Sequence, residues 1–448
     1  MKNILLLGCG RSSSWLVKYI FENILPFNHK VTISDFNENF PFAHLFSHPN
    51  AIYISANLSD TDTLLPLIQN ADVVISLLPP AMHLTIAQQC LAYKKHFLCA
   101  SYLSVEIQML HEDAISKDVI MMMEAGLDPG LDHLSAMKEI DAIHEQGGVI
   151  DSFKSFTGGL VAPESDTNPW HYKISWNPRN VVLAGQGNMS RYLHNGIIKC
   201  IPYHRLFTTI TPISIFEKDD FEGYVNRDSL KYQLVYGLQS ATTLIRGTIR
   251  QKDFCEGWQQ LVYMGMTDDS TIIENSEGMT MKDFTKLFMD HDSENENIEQ
   301  DICQMLKITK ESTVFKQLAY LGLFSEEQIS IAKATPAQII QEQLIKKIPL
   351  LPHDSDMIVM QHHIEYRMQD ERRKREISLI VKGDDSIFTA MAKTVGLPLG
   401  IICNMILENK IPQRGVMLPL EKNIYTHVLS EIEAYNLTFH NTDQQIFQ

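Results

Sequence analysis

From Lys2 to Met123 the chain alternates short apolar runs with amphipathic stretches. The runs Lys2–Leu7, Lys30–Ser34, Ala51–Ser55, Ala71–Leu78, His96–Ala100 and Asp118–Met123 are nearly free of polar alternation, the pattern of strands buried on both faces of a sheet. Between them, Ser14–Glu22, Thr61–Gln69 and Leu84–Tyr93 place apolar residues at three- and four-residue spacing, which predicts helices. Strands and helices in this order predict a parallel, doubly wound sheet. The stretch Glu124–His133 (EAGLDPGLDH) follows the last strand. Gly126, Pro129 and Gly130 stop that strand and turn the backbone. Asp132 is then placed to cap a helix that starts near His133 and carries Leu134, Met137 and Ile140 on one face. Read as more than a loop, the stretch is a domain crossing at the carboxyl edge of the sheet, where open α/β proteins bind ligands.

The pattern changes beyond this point. Ser152–Gly158 alternates as a strand does, and Gly158-Gly159 predicts a tight turn. Residues 166–178 mix polar and aromatic side chains without periodicity and read as a long loop, of the kind that lines sites in enzymes. Lys199–Ile201, Ile210–Phe216 and Thr243–Arg250 are β-type runs. Arg227 lies in a turn-like setting, with a helix expected after it. From Phe254 to Ile348 the spacing is helical, as in Trp258, Leu261 and Val262. Asp290–Asp301 within this segment reads as a solvated acidic loop. Met357–Met360 and Arg375–Val381 are strands joined by a polar turn and are expected to rejoin the second sheet. Ser386–Val395, Leu399–Glu408 and Ile424–Tyr435 are expected helices that pack back onto the first domain and make it discontinuous.

A chain of 448 residues exceeds one ordinary domain, so two or three are expected. The net charge of −16 argues against nucleic acid or an anionic membrane as partner, and an anionic substrate then needs locally placed arginine or lysine. Seven scattered cysteines form no C-x-x-C pair and suit reduced thiols in a cytoplasmic protein. No apolar run approaches the length of a membrane span, the N-terminal run is too short for a signal, and the histidines form no metal pattern. Neither a membrane nor a metal is therefore expected.

Candidate chemistry sits at the ends of the predicted strands. Gly8-Cys9-Gly10-Arg11-Ser12-Ser13 between the first strand and a helix is a dinucleotide-binding arrangement, with Ser13 in place of the third glycine. Asp35 ends the second strand, where a carboxylate can hold both ribose hydroxyls and repel the 2′-phosphate of NADP. Ser101, Tyr102 and Asp128 all fall at strand carboxyl ends and are expected to converge on one crevice. Arg246 and Arg250 share a strand face by their period of two, and Arg227 and Arg246 are plausible carboxylate clamps.

Taken together and in order, these residues resemble the glutamate-forming saccharopine dehydrogenases, also called saccharopine reductases. The resemblance spans nearly the whole chain. It rests on Gly8–Gly10, Val74–Pro79, Ala100–Tyr102, Gly126–His133, Gly158-Gly159 with Ala162–Glu164, and Asn168-Pro169. It continues through Tyr172–Trp176, Glu222–Tyr224, Asn226–Ser229, Leu244–Thr248, Met357–Met360 and Ala390–Pro398. The fold it implies is α/β with three domains: a Rossmann-type doubly wound parallel sheet (1–127 plus about 385–448), a mixed α/β substrate and dimerisation domain (128–250 plus about 349–384), and an inserted all-α domain (251–348). The implied activity is oxidation at the CH–NH bond of saccharopine to L-glutamate and 2-aminoadipate 6-semialdehyde, in lysine metabolism, by a homodimer. Ser101, Tyr102, Asp128, Arg227 and Arg246-Gly247-Thr248 are implied to touch saccharopine, and Leu127, Pro129 and Trp176 to touch the cofactor. Gly8, Gly10, Arg11, Ser12, Ser13, Asp35, Asn57, Leu58, Leu77, Leu78 and Ser175 complete the expected cofactor set. Tyr102 and Asp128 are the candidates for acid–base work, directly or through water, and the sequence does not choose between them. Two features depart from or divide the family. Thr157 stands where many relatives have cysteine. NADP-using relatives usually lack an acid after the second strand, whereas degradative NAD-using relatives carry one, so NAD is expected, with NADP the alternative. A related reductive condensation such as carboxynorspermidine synthesis is disfavoured by the two arginines, and a catalytically inert nucleotide sensor by the intact Tyr102 and Asp128.

Overall fold

The computed structural model describes residues 1–38, 40, 42–216, 218–289 and 297–446. They form two compact units, Met1–Gly148 with Val381–His440 and Val149–Ile380 with Asn441–Gln448. The chain thus passes to the second unit after Gly148, and the Glu124–His133 stretch lies wholly inside the first, not at a crossing.

The first unit opens with β1 (Asn3–Leu7), β2 (Lys30–Asp35), β3 (Ala51–Ser55), β4 (Val73–Ser76), β5 (His96–Cys99) and β6 (Ile120–Met122). Each of the pairs β1–β2, β1–β4, β2–β3, β4–β5 and β5–β6 is parallel. Leu5, Leu7, Val74, Phe97, Cys99 and Met121 bury one face of this sheet against Ile68, Ile86 and Ala114 of the intervening helices. The helix after β1 runs as a regular helix from Ser14 to Tyr19 and widens over Ile20–Ile24. After β6 the helix Leu131–Glu145 begins behind Gly130, whose φ is +147°. Asp132 is not its capping residue: it sits in the first turn, and its carboxylate accepts the Gly130 N–H at 2.7 Å.

The second unit contains β7 (Val149–Val161), β8 (Ser190–His194), β9 (Ile197–Ile201), β10 (Ile210–Ile215), β11 (Lys218–Val225), β12 (Thr243–Gln251), β13 (Asp356–Met368) and β14 (Glu371–Lys382). Strand β7 is central, parallel to β12 and antiparallel to β13. Gly158-Gly159 therefore does not turn the chain. It lies within β7, where a Cβ on Gly158 would stand 2.3 Å from the Ile249 carbonyl oxygen. The sequence pattern of a turn and that of a close backbone approach are the same here, because both need glycine. Gly158→Ala is expected to destabilise the protein by about 1–3 kcal/mol, since β12 must move to admit the methyl group. An unchanged urea midpoint would contradict this close packing. The helices between Phe254 and Lys347 share one core with this sheet, in which Phe156, Trp170, Tyr172, Ile249, Phe254 and Trp258 are all buried. The segment 166–178 is anchored by those aromatics, with Trp170 edge-on to Phe254 and Trp258. Of the acidic stretch expected as a solvated loop, residues 290–296 lie outside the described residues, and Ile298–Leu306 is a helix.

The chain then returns to the first unit. One continuous helix, Ala390–Leu407, replaces the two expected around Pro398, which lies inside it. By length and composition it could cross a membrane, contrary to the expectation that no run is long enough, yet most of it is buried in the fold. Gly396 and Gly400 face the helix after β1 so closely that a Cβ would meet Leu16 N at 2.6 Å and the Tyr19 ring at 2.5 Å. Its apolarity is thus that of a core helix. Strand β15 (Gly415–Met417) completes a sheet of order β15-β6-β5-β4-β1-β2-β3, as expected for a discontinuous doubly wound domain. Strand β16 (His440–Gln445) instead joins the second sheet, of order β10-β11-β12-β7-β13-β14-β16, so the last residues do not belong to the first unit.

Candidate active site

In the first unit the strand order reverses between β1 and β4, and the chemistry-bearing residues gather at the carboxyl ends of the strands there. Gly8 has φ +93°, and a Cβ would meet the Leu77 backbone at 3.1 Å. A Cβ on Gly10 would meet nothing within 4 Å, so the loop is tight at its first glycine and open at its second. Ser13 is buried, and its hydroxyl donates to the Gly10 carbonyl at 2.7 Å, a bond that a third glycine could not make. Asp35 accepts the Cys9 N–H at 2.6 Å and the Asn37 N–H at 2.9 Å, so its carboxylate is fixed directly against the loop. Burial pushes the Cys9 thiol up to about 12, which leaves it neutral and inert at physiological pH. Leu58 is buried, Leu77 and Leu78 are half-buried, and Arg11 and Asn57 are exposed.

The same edge carries Ser101, Tyr102 and Asp128, all half-buried. The Tyr102 hydroxyl donates to Asp128 Oδ1 at 3.0 Å. Asp128 precedes Pro129 in a turn closed by Gly126 N–H to Pro129 O at 3.0 Å and Leu131 N–H to Gly126 O at 2.8 Å. Gly130 cannot be another residue, because a Cβ would fall 2.1 Å from the Gly126 oxygen. The crevice residues expected from the sequence therefore meet, with Leu127 and Pro129 buried beneath Asp128.

In the second unit, Arg246 is buried in β12 with its guanidinium 4.1 Å from the Tyr232 ring centre. The loop bearing Arg227 docks on the same strand: Asn226 N–H donates to Arg246 O at 2.8 Å, and Arg246 N–H donates to Ser229 Oγ at 2.9 Å. Arg227 has φ +51° and is exposed. Gly247 lies under Phe156, whose ring would stand 2.3 Å from an added Cβ, so any contact it makes is through its backbone. Thr157 is paired in register with Thr248, and its buried hydroxyl has no hydrogen-bond partner among the described residues. Ser175 is buried, and the Trp176 indole N–H donates to the Tyr172 hydroxyl at 3.0 Å. Sequence reasoning gave no chemical role to three buried groups. Arg250 lies against the rings of Tyr172, Tyr224 and Phe254, and Glu124 and His133 pair in the first unit. The strand period placed Arg250 on the face of Arg246, but no local signal marks Glu124.

Residues 4–122 match the family described as Saccharopine dehydrogenase NADP binding domain, and residues 126–437 match that described as Saccharopine dehydrogenase C-terminal domain. The chain belongs to the saccharopine dehydrogenase family. The family's first part ends at Met122, the last residue of β6, and its second opens at Gly126, in the turn that presents Asp128. Mitochondrial alpha-aminoadipic semialdehyde synthase of Rattus norvegicus is 31% identical over 452 residues, 99% of this chain and 48% of that protein. The chain thus spans about half the length of the mammalian synthases it matches. Saccharopine dehydrogenase (NADP(+), L-glutamate-forming) of Schizosaccharomyces pombe is 31% identical over 427 residues, 94% of each chain. The solved structure of apo saccharopine dehydrogenase (L-Glu forming) from Saccharomyces cerevisiae matches with a TM-score of 0.86 at 29% identity, covering 99% of this chain and 100% of that one. A homospermidine synthase from Legionella pneumophila shares the fold at 11% identity, with a TM-score of 0.55.

Proposed function

We propose that this protein is a glutamate-forming saccharopine dehydrogenase that prefers NAD. The observation that carries the reading is the Tyr102–Asp128 hydrogen bond at the sheet edge that also holds the glycine loop. The loop fits a nicotinamide dinucleotide: Gly10 leaves room for a pyrophosphate, and Gly8, Ser12, Ser13 and Asp35 would hold it. When bound, the nicotinamide accepts the hydride released from the lysine-side carbon of saccharopine. The protein's own groups then have three tasks. Asp128, oriented by the Tyr102 hydroxyl, takes the proton from the secondary amine so that its lone pair can drive hydride release. Water adds to the resulting imine, and collapse of the carbinolamine needs a proton returned to nitrogen, which the same couple can supply. Arg246 and Arg227 hold carboxylates, and so fix which carbon reacts. Overall, saccharopine, NAD+ and water give L-glutamate, 2-aminoadipate 6-semialdehyde, NADH and a proton. A spectrophotometric assay with saccharopine and each cofactor tests the reading, and no NADH or NADPH formation would overturn it.

The NAD preference rests on Asp35. Its carboxylate is fixed beside the loop and would repel a 2′-phosphate. The fungal relatives' names specify NADP(+), which concerns those proteins. Asp35→Ser is expected to raise the NAD Michaelis constant and improve the relative use of NADP, and a wild-type protein that favours NADP would overturn the preference. We further propose a homodimer built through the second unit. Light scattering at micromolar concentration checks it, and a monomer mass would count against it. A reducing, cytoplasmic setting suits the seven unpaired thiols.

A further inference from the structure

We propose that Glu124 and His133 form a buried positioning pair that sets the geometry of the Tyr102–Asp128 couple. The proposal deepens the functional reading above and rests on it for the role of that couple. Glu124 is 1% exposed and His133 is fully buried. Burying a carboxylate is costly unless its lone pairs are met, and an apolar pair of similar volume would serve packing at least as well. The contacts of Glu124 supply a reason for its presence. Its backbone N–H donates to the Ser101 carbonyl at 3.1 Å, and its Oε1 accepts the Leu103 N–H at 2.9 Å. One residue therefore holds the peptide groups on both sides of Tyr102. Its other oxygen, Oε2, is 2.8 Å from His133 Nε2.

His133 ties this clamp to the second partner of the couple. It lies in the first turn of Leu131–Glu145, four residues past Pro129, and its N–H donates to the Gly130 carbonyl at 2.9 Å. Asp132 Oδ1 accepts the Gly130 N–H at 2.7 Å and stands 3.7 Å from His133 Nδ1, on the other side of the imidazole from Glu124. A closed circuit results, running from Tyr102 through its flanking peptides to Glu124, then His133, then the turn that presents Asp128, and back through the Tyr102 hydroxyl. Glu124 also sits at φ +57°, a left-handed backbone conformation that strains a residue with a side chain. Glutamate is kept there although glycine would fit more easily, as expected if its carboxylate is what the position needs. Neither Glu124 nor His133 reaches the proposed reacting atoms in this scheme. They act through Tyr102 and Asp128.

The test combines kinetics with a readout that uses no substrate. Protein labelled with 3-fluorotyrosine is titrated by 19F NMR, the Tyr102 resonance being picked out of the fifteen tyrosines by its loss in Tyr102→Phe. Glu124→Ala is expected to move the Tyr102 titration midpoint by about one pH unit. It should also lower kcat for saccharopine by roughly tenfold to a hundredfold, the cost of a misplaced catalytic group. The saccharopine KM and the NAD dissociation constant should stay within about twofold. Glu124→Gln keeps an acceptor for Leu103 and a hydrogen-bonding group for His133, and should recover most of both readouts. If Glu124→Ala does not fold, His133→Phe, which fills a similar volume without a ring nitrogen, takes its place with the same expectations. A folded variant with an unmoved Tyr102 resonance and kcat within twofold of wild type overturns the proposal, even if it is less stable. A wild-type protein that does not turn over saccharopine overturns the functional reading instead, while the NMR comparison still decides whether the pair sets the environment of Tyr102.

Discussion

Arg246→Ala is expected to lower kcat/KM for saccharopine by roughly thirty- to several-hundredfold, equivalent to about 2–4 kcal/mol. The size follows from where the guanidinium lies. It is buried in β12 and stacked on Tyr232, so much of its desolvation is met before a substrate arrives. A carboxylate that meets it gains a charge-assisted bond, and the same carboxylate in Arg246→Ala is left desolvated and unpaired. Arg227 is exposed, so solvent screens it more, and Arg227→Ala should cost less, about 1–2 kcal/mol. Arg246→Lys should recover little, because an ammonium reproduces neither the planar fork nor the stacking. The NAD dissociation constant should stay within about twofold in all three variants, since the glycine loop and Asp35 belong to the other unit. Steady-state kinetics with saccharopine, alongside cofactor binding by fluorescence, checks these values. If Arg246→Ala stays within twofold of wild type, the arginine is not a principal clamp and the substrate assignment loses its main chemical support.

The periodicities in the chain carried most of the architecture, and the misses have physical causes. Thr61–Gln69 falls where the apolar spacing puts it, and Val73–Ser76, buried at every position, lies inside the apolar run Ala71–Leu78, because a strand buried on both faces of a parallel sheet has little freedom in its composition. Gly158-Gly159 misled because glycine marks close approach as well as turning, and only the neighbouring strand distinguishes the two. Pro398 misled because a proline within a buried helix is tolerated when the surrounding core holds the helix together. At the site, Tyr102 and Asp128 were legible as a pair from their places at strand ends, and the hydrogen bond between them agrees. The Glu124–His133 pair was not legible. Nine residues separate them, and neither belongs to a pattern with chemical meaning until the turn at Gly126–Gly130 folds one back onto the other.

Asp128→Ala should reduce kcat by roughly a hundredfold to ten-thousandfold, the range typical of losing a positioned acid–base group. Tyr102→Phe keeps the ring and removes only the donor to Asp128 Oδ1. It should cost about 1.5–3 kcal/mol, the worth of one hydrogen bond to a charged acceptor, which is roughly ten- to a hundred-and-fifty-fold in rate. The double variant discriminates between the ways in which the two residues can act. If Tyr102 works by orienting Asp128, it has nothing left to orient once the carboxylate is gone, and the double variant should be no slower than Asp128→Ala alone. If each residue handled a proton independently, the two losses would multiply. The pH dependence supplies a second criterion. Because the amine must lose its proton before hydride can leave, kcat/KM should fall on the acid side, and that limb should flatten in Asp128→Ala if Asp128 is the acceptor. An Asp128→Ala enzyme with a wild-type pH profile and kcat within tenfold would remove the carboxylate from the chemistry. Tyr102 would then remain as the only one of the two to test as the acid–base group.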